Sequence, residues 1–401
     1  MNILVVSQYF YPENFKINDL IFSLKKRGHQ ITVLTGKPNY SKTHFFEGYG
    51  WKSDDFEMIN DIPVYRANLF SRRNGGATRL FLNYISFAIL ASFKVRKIKG
   101  SFDAIFVYQT SPVTVGIPAT FAKNLFKTPI YFWVQDLWPE SLTAAGGVKN
   151  KLVLGFFNSL TKWIYNHSKK ILIQSNGFRE YILNQEIPND KIIFYPNLTE
   201  DFYKPLQDVK EYQEFFQKEF FNIVFAGNIG EAQSFKTIIE AINNIKELQV
   251  KLIVLGDGRY KETALSLIKE KGLQSHFNFL GSFPPTEMPK FFSYADALLV
   301  SLKKDKIFSL TIPAKIQSYL ACGKPIIASI DGEGAKIVND AKCGMSSPAE
   351  DSLKLSECIK ELIDLDKSKR NEMGNNGRAY YEKEFDRNNL LEKLEVIFNS
   401  K

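Results

Sequence analysis

The sequence predicts an α/β protein of two Rossmann-like, doubly wound domains facing a cleft. Three observations carry that expectation. Short apolar runs alternate with helical patterns along nearly the whole chain. A length of 401 residues suits two domains rather than one. A charged stretch without strand character separates two such alternating sets.

The first set has strands in NILVVSQYF, QITVLTGKP, PVYRANLF, AIFVYQT, PIYFWVQD, KKILIQS and KIIFYPN. Helices fall between them, in INDLIFSLKKRG, Leu80–Phe93, PVTVGIPATFAKNLF, NKLVLGFFNSLTKWIYNHS and NGFREYILNQ. Strands that alternate with helices need crossover connections, so the sheet should be parallel and covered on both faces. The opening MNILVVSQYFYPEN has no basic leader and no small-residue cleavage site, and reads as a first strand. Residues 1–198 are assigned to this domain and 199–220 to a linker.

The second set runs through FNIVFAG, SFKTIIEAINNIKEL, VKLIVLGDG, RYKETALSLIKEKG, FNFLGSF, ADALLVSL and PIIASI. It is assigned residues 221–380, and a closing helical segment, 381–401, is expected to pack back on the first domain. Within this set, Ile307–Gly334 is the most informative stretch. A loop with Ser309 and Thr311 leads to Pro313, whose missing N–H suits a helix start. The helix AKIQSYLAC ends at Gly323, and PIIAS follows as a buried parallel strand. The loop Gly332-Glu333-Gly334 then opens another helix. Strand ends that face helix N-termini are where open α/β sheets take phosphorylated ligands.

Other strand ends repeat the theme. Gly227 and Asn228 follow one strand; Gly256, Asp257 and Gly258 follow the next. Glycines there let the backbone approach a diphosphate. Lys315, just inside a helix start, is the best placed cation. Neither a lysine-containing P-loop nor a full dinucleotide fingerprint is present, which argues against ATPase and dehydrogenase activity. In the first domain, Asp136 ends a buried strand in WVQDLWPES and could orient a hydroxyl or take a proton, with Glu140 four residues on. The first loop offers Glu13, Asn14 and Lys16; the second offers Lys37, Asn39 and Tyr40 for an acceptor sugar or phosphate. His29, at a helix end, reads as structural.

Three scattered cysteines, Cys322, Cys343 and Cys358, form no CxxC pair, so neither a disulfide framework nor a zinc site is expected, and a reducing cytoplasm fits. The net charge is +9, and its placement matters more than its size. Arg66 to Lys99 holds eight basic residues and no acid, around the apolar run Leu80–Phe93. That run is too short to span a bilayer and suits a helix lying on an anionic leaflet, with Arg72, Arg73, Lys94 and Lys97 on its flanks. Lys149–Arg179 is a second acid-free stretch. No recognition motif supports nucleic acid as a partner.

The segments QYFYPENFKINDL, LTGKPNY, WVQDLWPES, FAGNIGEAQ, LGDGR and FSLTIPAKIQSYLACGKPIIAS together resemble the retaining glycosyltransferases of family 4, nearly end to end. More narrowly they resemble a bacterial subgroup of O-antigen and capsule enzymes described as N-acetyl-L-fucosamine transferases. The resemblance implies the type B glycosyltransferase fold and a UDP-sugar donor. It also implies retention at the anomeric carbon, no obligatory metal or other cofactor, and a polyprenyl-diphosphate-linked acceptor at the inner membrane face. The leaving phosphate could itself accept the acceptor's proton. The chain departs from the family pattern at several positions. A pair of glutamates is replaced by Leu310 and Ser318. An arginine and a lysine after the FxG strand become Asn228 and Gln233, and a catalytic-loop histidine becomes Gln135. Two rivals follow: a nucleotide-sugar 2-epimerase, which needs no acceptor, and a non-catalytic sugar-nucleotide-binding subunit of a polysaccharide assembly complex.

Overall fold

The computed structural model describes residues 1–40, 44–73, 76–146 and 148–400, so Lys401 of the closing segment lies outside the described residues. The chain divides into two compact units, residues 1–197 with 390–401, and residues 198–389.

The first unit is built on eight strands: β1 Asn2–Ser7, β2 Gln30–Gly36, β3 Phe56–Ile59, β4 Ile62–Ala67, β5 Ala104–Gln109, β6 Ile130–Val134, β7 Lys170–Ile173 and β8 Ile192–Phe194. Their order is β3-β4-β2-β1-β5-β6-β7-β8. Every pairing is parallel except β3 with β4. The central strands carry unbroken apolar runs such as AIFVY and IYFWV, and all of their residues are buried. That is the pattern of a sheet covered on both faces. The order reverses at β1, which lies between β2 and β5, and open α/β sheets place ligands at such a switch point.

The edge strand β3 is absent from the expected elements. It forms a hairpin with β4 through Asn60 and Asp61, whose φ angles are 49° and 59°. An Asn-Asp pair between FEMI and IPV is the sequence sign of a two-residue hairpin turn.

The second unit has six parallel strands: β9 Phe221–Ala226, β10 Val250–Leu255, β11 Phe277–Gly281, β12 Ala297–Ser301, β13 Ile326–Ser329 and β14 Gly344–Ser347. Their order is β11-β10-β9-β12-β13-β14, with the reversal at β9. The run PIIAS forms β13, paired on both sides and fully buried. Gly323 ends the preceding helix Ala314–Cys322 at φ 65°, ψ 40°, the left-handed cap that glycine adopts without strain. The edge strand β14 went unread because GMSS has no apolar run.

Two boundaries differ from expectation. Residues 199–220 belong to the second unit rather than standing as a linker. Tyr212 stacks on Phe291 at 4.0 Å between ring centroids, and its hydroxyl donates to Glu287 at 2.8 Å. The helix Lys367–Glu384 also stays with the second unit, and the chain returns to the first only at Leu390. There the helix Arg387–Asn399 lays Phe398 against the rings of Phe106 and Tyr131, and Tyr131 donates to the Phe398 carbonyl at 2.9 Å. Arg27 holds Glu395 through two bonds of 2.8 and 2.9 Å, and His29 lies 2.8 Å from the same carboxylate. The Arg27 bonds, with help from His29, hold the Glu395 carboxyl down at about 2.

Candidate functional site

In the second unit the carboxyl edge of the sheet is made of backbone. Gly227 follows β9 at φ 135° and Gly256 follows β10 at φ 145°, a region that L side chains rarely adopt. A Cβ on Gly256 would fall 1.9 Å from the Gly227 carbonyl oxygen, and one on Gly258 would fall 2.3 Å from that of Ile229. The two loops are therefore interlocked, and only glycine fits where they touch. Gly332, at φ 70°, sits equally close to Ser309: a Cβ there would meet the Ser309 carbonyl oxygen at 1.9 Å.

Lys315 lies in the first turn of the helix Ala314–Cys322 and reaches the same edge. Its Nζ stands 3.9 Å from the Phe225 ring centroid, and a Cβ on Gly227 would meet it at 2.7 Å. Among the described residues no carboxylate pairs with it. Burial pulls its ammonium down to about 7. A cation held against a glycine strand end without a counter-ion is placed for an anionic ligand.

Other expected donor contacts are placed less simply. Ser309 is not in a loop; it lies on the short helix Lys306–Leu310, which the Asp305 carboxylate caps by accepting from the amides of Ile307 and Phe308. The Ser309 hydroxyl donates to the Lys306 carbonyl at 2.8 Å, and that of Thr311 to the Phe308 carbonyl at 3.0 Å. Both keep lone pairs but have committed their proton. Asn228 donates to Gln233 at 3.4 Å, so the two residues standing where the family has cations bond each other. The Asp257 carboxylate accepts from the Gly258 amide at 2.8 Å and lies 3.7 Å from the Lys261 ammonium. Glu333 begins the helix Glu333–Asp340, and Gly334, its second residue, is buried: a Cβ there would meet Ile330 Cδ1 at 2.5 Å.

In the first unit the same edge is made of side chains. Glu13 is 2% exposed. Its Oε1 accepts from the amides of Asn39 at 2.8 Å and Tyr40 at 2.6 Å, while its Oε2 is buried without a partner. Burial outweighs those bonds and pushes its carboxyl up to about 7. Asn39 in turn accepts from Asn83 at 3.1 Å and from the Arg72 amide at 3.2 Å. Asp136 follows β6, and no side chain of the described residues bonds its carboxylate. Burial pushes it up to about 7 as well. A carboxyl near 7 can exchange protons at neutral pH.

Several expected roles are corrected by their surroundings. Lys37 is buried and donates to the carbonyls of Ser53 and Asp54 at 2.7 and 2.6 Å, so it is a structural strut and not an acceptor contact. Glu140 starts the short helix Glu140–Gly146 and acts on the phenol of the buried Tyr165, raising it second to burial. Three other expected acceptor residues are placed without being corrected: Asn14 is exposed, Lys16 starts the first helix, and Tyr40 packs edge-on against Phe15. His29 is the structural residue it was read to be, tied to Glu395.

The charges expected to face a membrane divide in two. Lys94 is buried and paired with Asp55, and Arg72 is held over the rings of Tyr40, Tyr9 and Tyr84 at 4.8, 5.8 and 5.8 Å. Arg73 and Lys97 are exposed. The apolar run lies in the helix Ala77–Lys94, which leaves Leu82, Ile89 and Phe93 exposed on one side. The helix Lys151–His167 does the same with Leu152, Phe156 and Trp163. Among the described residues, no helix is long and apolar enough to cross a membrane.

Two family models match, in chain order. A glycosyl transferase 4-like domain matches residues 16–197, and glycosyl transferases group 1 matches residues 207–380. The chain belongs to the glycosyltransferases. Its similarity to named relatives is lower. It is 25% identical over 247 residues to the probable glycosyltransferase WbjE of Pseudomonas aeruginosa, covering 59% of this chain and 60% of that protein. It is 22% identical to the putative colanic acid biosynthesis glycosyl transferase WcaI of Escherichia coli, covering 80% and 82% of the two chains. Among solved structures, Anabaena HepE in complex with UDP matches with a TM-score of 0.74 at 14% identity over the whole of both chains. Sucrose-phosphate synthase of Thermosynechococcus elongatus matches at 0.76 and 16%, covering 99% and 98%. This likeness establishes the fold, the type B glycosyltransferase fold that the sequence led us to expect.

Asn83, Tyr84 and Gln8, none of them expected at the site, complete this glycosyltransferase's first-unit edge. Asn83 and Tyr84 form one network with Glu13, Asn39 and Arg72, which was expected on a membrane flank, and Gln8 joins it by donating to Asn83 at 2.7 Å. Their only signal was position: Gln8 stands one step past a strand.

Proposed function

We propose that this chain transfers a hexose-type sugar from a UDP-sugar to a glycan on polyprenyl diphosphate, with retention and without an obligatory metal. Its place would be the inner face of the cytoplasmic membrane, in O-antigen or capsule assembly. N-acetyl-L-fucosamine is the donor sugar favoured by the motifs. The observation that carries the reading is Lys315, an ammonium with no counter-ion among the described residues, lying against the glycine edge formed by Gly227, Gly256 and Gly258. That edge suits a diphosphate: amides and a cation meet its charge, and the missing Cβ atoms let it approach. Asn228, Asp257, Ser309, Thr311 and the Gly332-Glu333-Gly334 turn would complete the donor side. Solved neighbours of the same fold hold UDP, and WcaI is named for colanic acid biosynthesis, both of which favour the reading.

In the first unit, Asp136 would act on the acceptor hydroxyl, and Glu13, Asn39 and Tyr40 would shape its sugar. The exposed faces of Leu82, Ile89 and Phe93 and of Leu152, Phe156 and Trp163, with Arg73 and Lys97 nearby in sequence, would rest on an anionic leaflet.

The test is a panel of UDP-sugars with a farnesyl-diphosphate-linked N-acetylglucosamine acceptor, with and without EDTA. The expected result is UDP release together with an elongated lipid, unaffected by EDTA. Conversion of donor in the absence of acceptor would point to the epimerase. Tight UDP binding with no product from any pair would point to the non-catalytic subunit.

A further inference from the structure

The second unit also has a groove at the amino edge of its sheet, opposite the glycine edge. The strands β9, β12 and β13 lie side by side. Phe221 and Asn222 open β9, Asp296 precedes β12, and Lys324 and Pro325 precede β13. Two cavities, of about 430 and 300 Å³, lie at these ends and share Tyr294, Asp296, Lys367 and Arg370 in their walls. Both volumes suit a small metabolite. A six-residue strand such as β9 spans about 20 Å, so the groove is well separated from the glycine edge.

The walls carry more positive than negative charge. Lys218, Lys324, Lys367 and Arg370 line them, against Glu219 and Asp296. Arg370 is anchored: its Nη1 donates to the carbonyls of Leu362, Ile363 and Leu365 at 3.2, 3.4 and 2.6 Å, and its guanidinium lies 5.2 Å from the Phe221 ring centroid. Its Nη2 stands 4.0 Å from Asp296 Oδ1, beyond hydrogen-bond reach. Lys324 Nζ donates to the carbonyls of Ser293 at 2.6 Å and Ala295 at 3.0 Å, and an ammonium has a third proton to give. Lys367 begins the 18-residue helix Lys367–Glu384, whose positive dipole end adds to the same field. Among the described residues no carboxylate pairs with Lys218 or Lys367.

The groove also holds an acceptor. Asn222 lines the larger cavity and is 5% exposed. Its Nδ2 donates to the carbonyls of Gln217 and Phe220, each at 2.8 Å, while its Oδ1 is buried without a partner. A buried amide oxygen has lost its bonds to water, and a ligand that brings a donor restores one. Phe216 and Tyr294, with ring centroids 5.2 Å apart, give the same cavity an apolar wall.

We propose that this groove binds a sugar phosphate, a monoester distinct from the nucleotide at the other edge. The phosphate meets Lys367, Arg370 and the helix N-terminus. Ring hydroxyls donate to Asn222 Oδ1 and Asp296, and a ring face rests on Phe216 and Tyr294. Cations by themselves would take any anion; the acceptors and the aromatic wall select one that carries hydroxyls on a ring. The proposal stands apart from the transfer reading above.

The experiment is calorimetry on the full chain with UDP present in saturating amount. Glucose 6-phosphate, inorganic phosphate and AMP are titrated in turn. Glucose 6-phosphate should bind at least tenfold more tightly than either of the others. Lys367→Glu, at an exposed helix start, should weaken it about tenfold or more, the usual weight of one charge-assisted contact, with melting temperature and UDP affinity unchanged. Lys218→Glu should act in the same direction. Lys315→Ala should leave glucose 6-phosphate binding as it was. No binding of glucose 6-phosphate in the millimolar range would overturn the proposal, and so would undiminished binding in both groove variants or its loss in Lys315→Ala. Equal or tighter binding of inorganic phosphate or AMP would overturn the choice of a sugar phosphate. Lack of transfer in the panel assay would overturn the transfer reading and leave these binding results standing.

Discussion

The two sheets end differently at equivalent edges. In the second unit the edge is backbone: Gly256 and Gly258 sit so close to the Gly227 and Ile229 carbonyls, and Gly332 to that of Ser309, that no side chain fits there, and Lys315 stands against Gly227. In the first unit the edge is side chain: Glu13, Asn39, Asn83 and Arg72 bond in a chain, and Gln8 and Gln109 each bury an amide oxygen without a partner. A backbone edge recognises charge and shape, which a diphosphate offers regardless of the sugar it carries. A side-chain edge reads hydroxyls one at a time. If the proposed function holds, the backbone edge would serve the diphosphate and the side-chain edge the sugar hydroxyls.

The comparison breaks most sharply at Gly256. Replacing it with alanine puts a methyl group 1.9 Å from the Gly227 oxygen at φ 145°. Overpacking and left-handed strain together should destabilise the second unit by about 3 kcal/mol and remove UDP binding, as calorimetry and thermal melting would report. If Gly256→Ala binds UDP normally, the backbone edge is not the donor site.

Asp136→Asn should lower turnover about 100-fold with UDP affinity unchanged, because general base catalysis is typically worth that much. Turnover within about threefold of wild type, less than about 1 kcal/mol of barrier, would take the chemistry away from the first unit. Lys315→Ala comes next and should weaken UDP binding by about 2 kcal/mol, the range of a charge-assisted contact.

The pH profile sharpens the same contrast. Asp136 must be ionised to act as base, and burial raises it to about 7, so kcat/KM should fall as pH drops below that value. Lys315 must be charged to hold a phosphate, and burial lowers it to about 7, so kcat/KM should also fall as pH rises above it. The profile of the free enzyme should therefore be a narrow bell near neutrality. Lys315→Arg should extend its alkaline limb and leave the acid limb in place.

The smallest effect lies away from both edges. The Glu395 carboxyl is held down at about 2 by Arg27 and His29, against an ordinary value of 4.5. A lowered carboxyl stabilises the fold above its unfolded value, and that contribution fades as pH falls from 4.5 toward 2. Glu395→Gln should lower stability at neutral pH by about 1 kcal/mol, since the pair is partly exposed, and should flatten the acid limb of the stability curve.

The parallel strands, most helices and the glycine strand ends were legible because period, β-branching and chain punctuation are local properties. What was not legible depends on partners distant in sequence. Lys94 counted as a surface cation until Asp55, 39 residues earlier, turned out to neutralise it. Lys37 resembled a ligand contact because nothing local reveals that Ser53 and Asp54 enclose it. Ser309 read as loop because the helix signal, Asp305 capping Ile307 and Phe308, opens a segment only five residues long. The β3 hairpin was readable from Asn60-Asp61 and was passed over. Asp136 and Lys315 were named from position alone; that burial brings both close to neutrality could be seen only in three dimensions.

Because residues 390–400 finish the first unit, that unit is written in two pieces of the gene. During synthesis its sheet must wait, with Phe106 and Tyr131 lacking the Phe398 cover, until nearly the whole second unit has left the ribosome. A fragment ending at residue 197 should therefore be prone to aggregate. Supplying residues 385–401 as a separate peptide, or splicing them after residue 197, should restore a soluble first unit for study by itself.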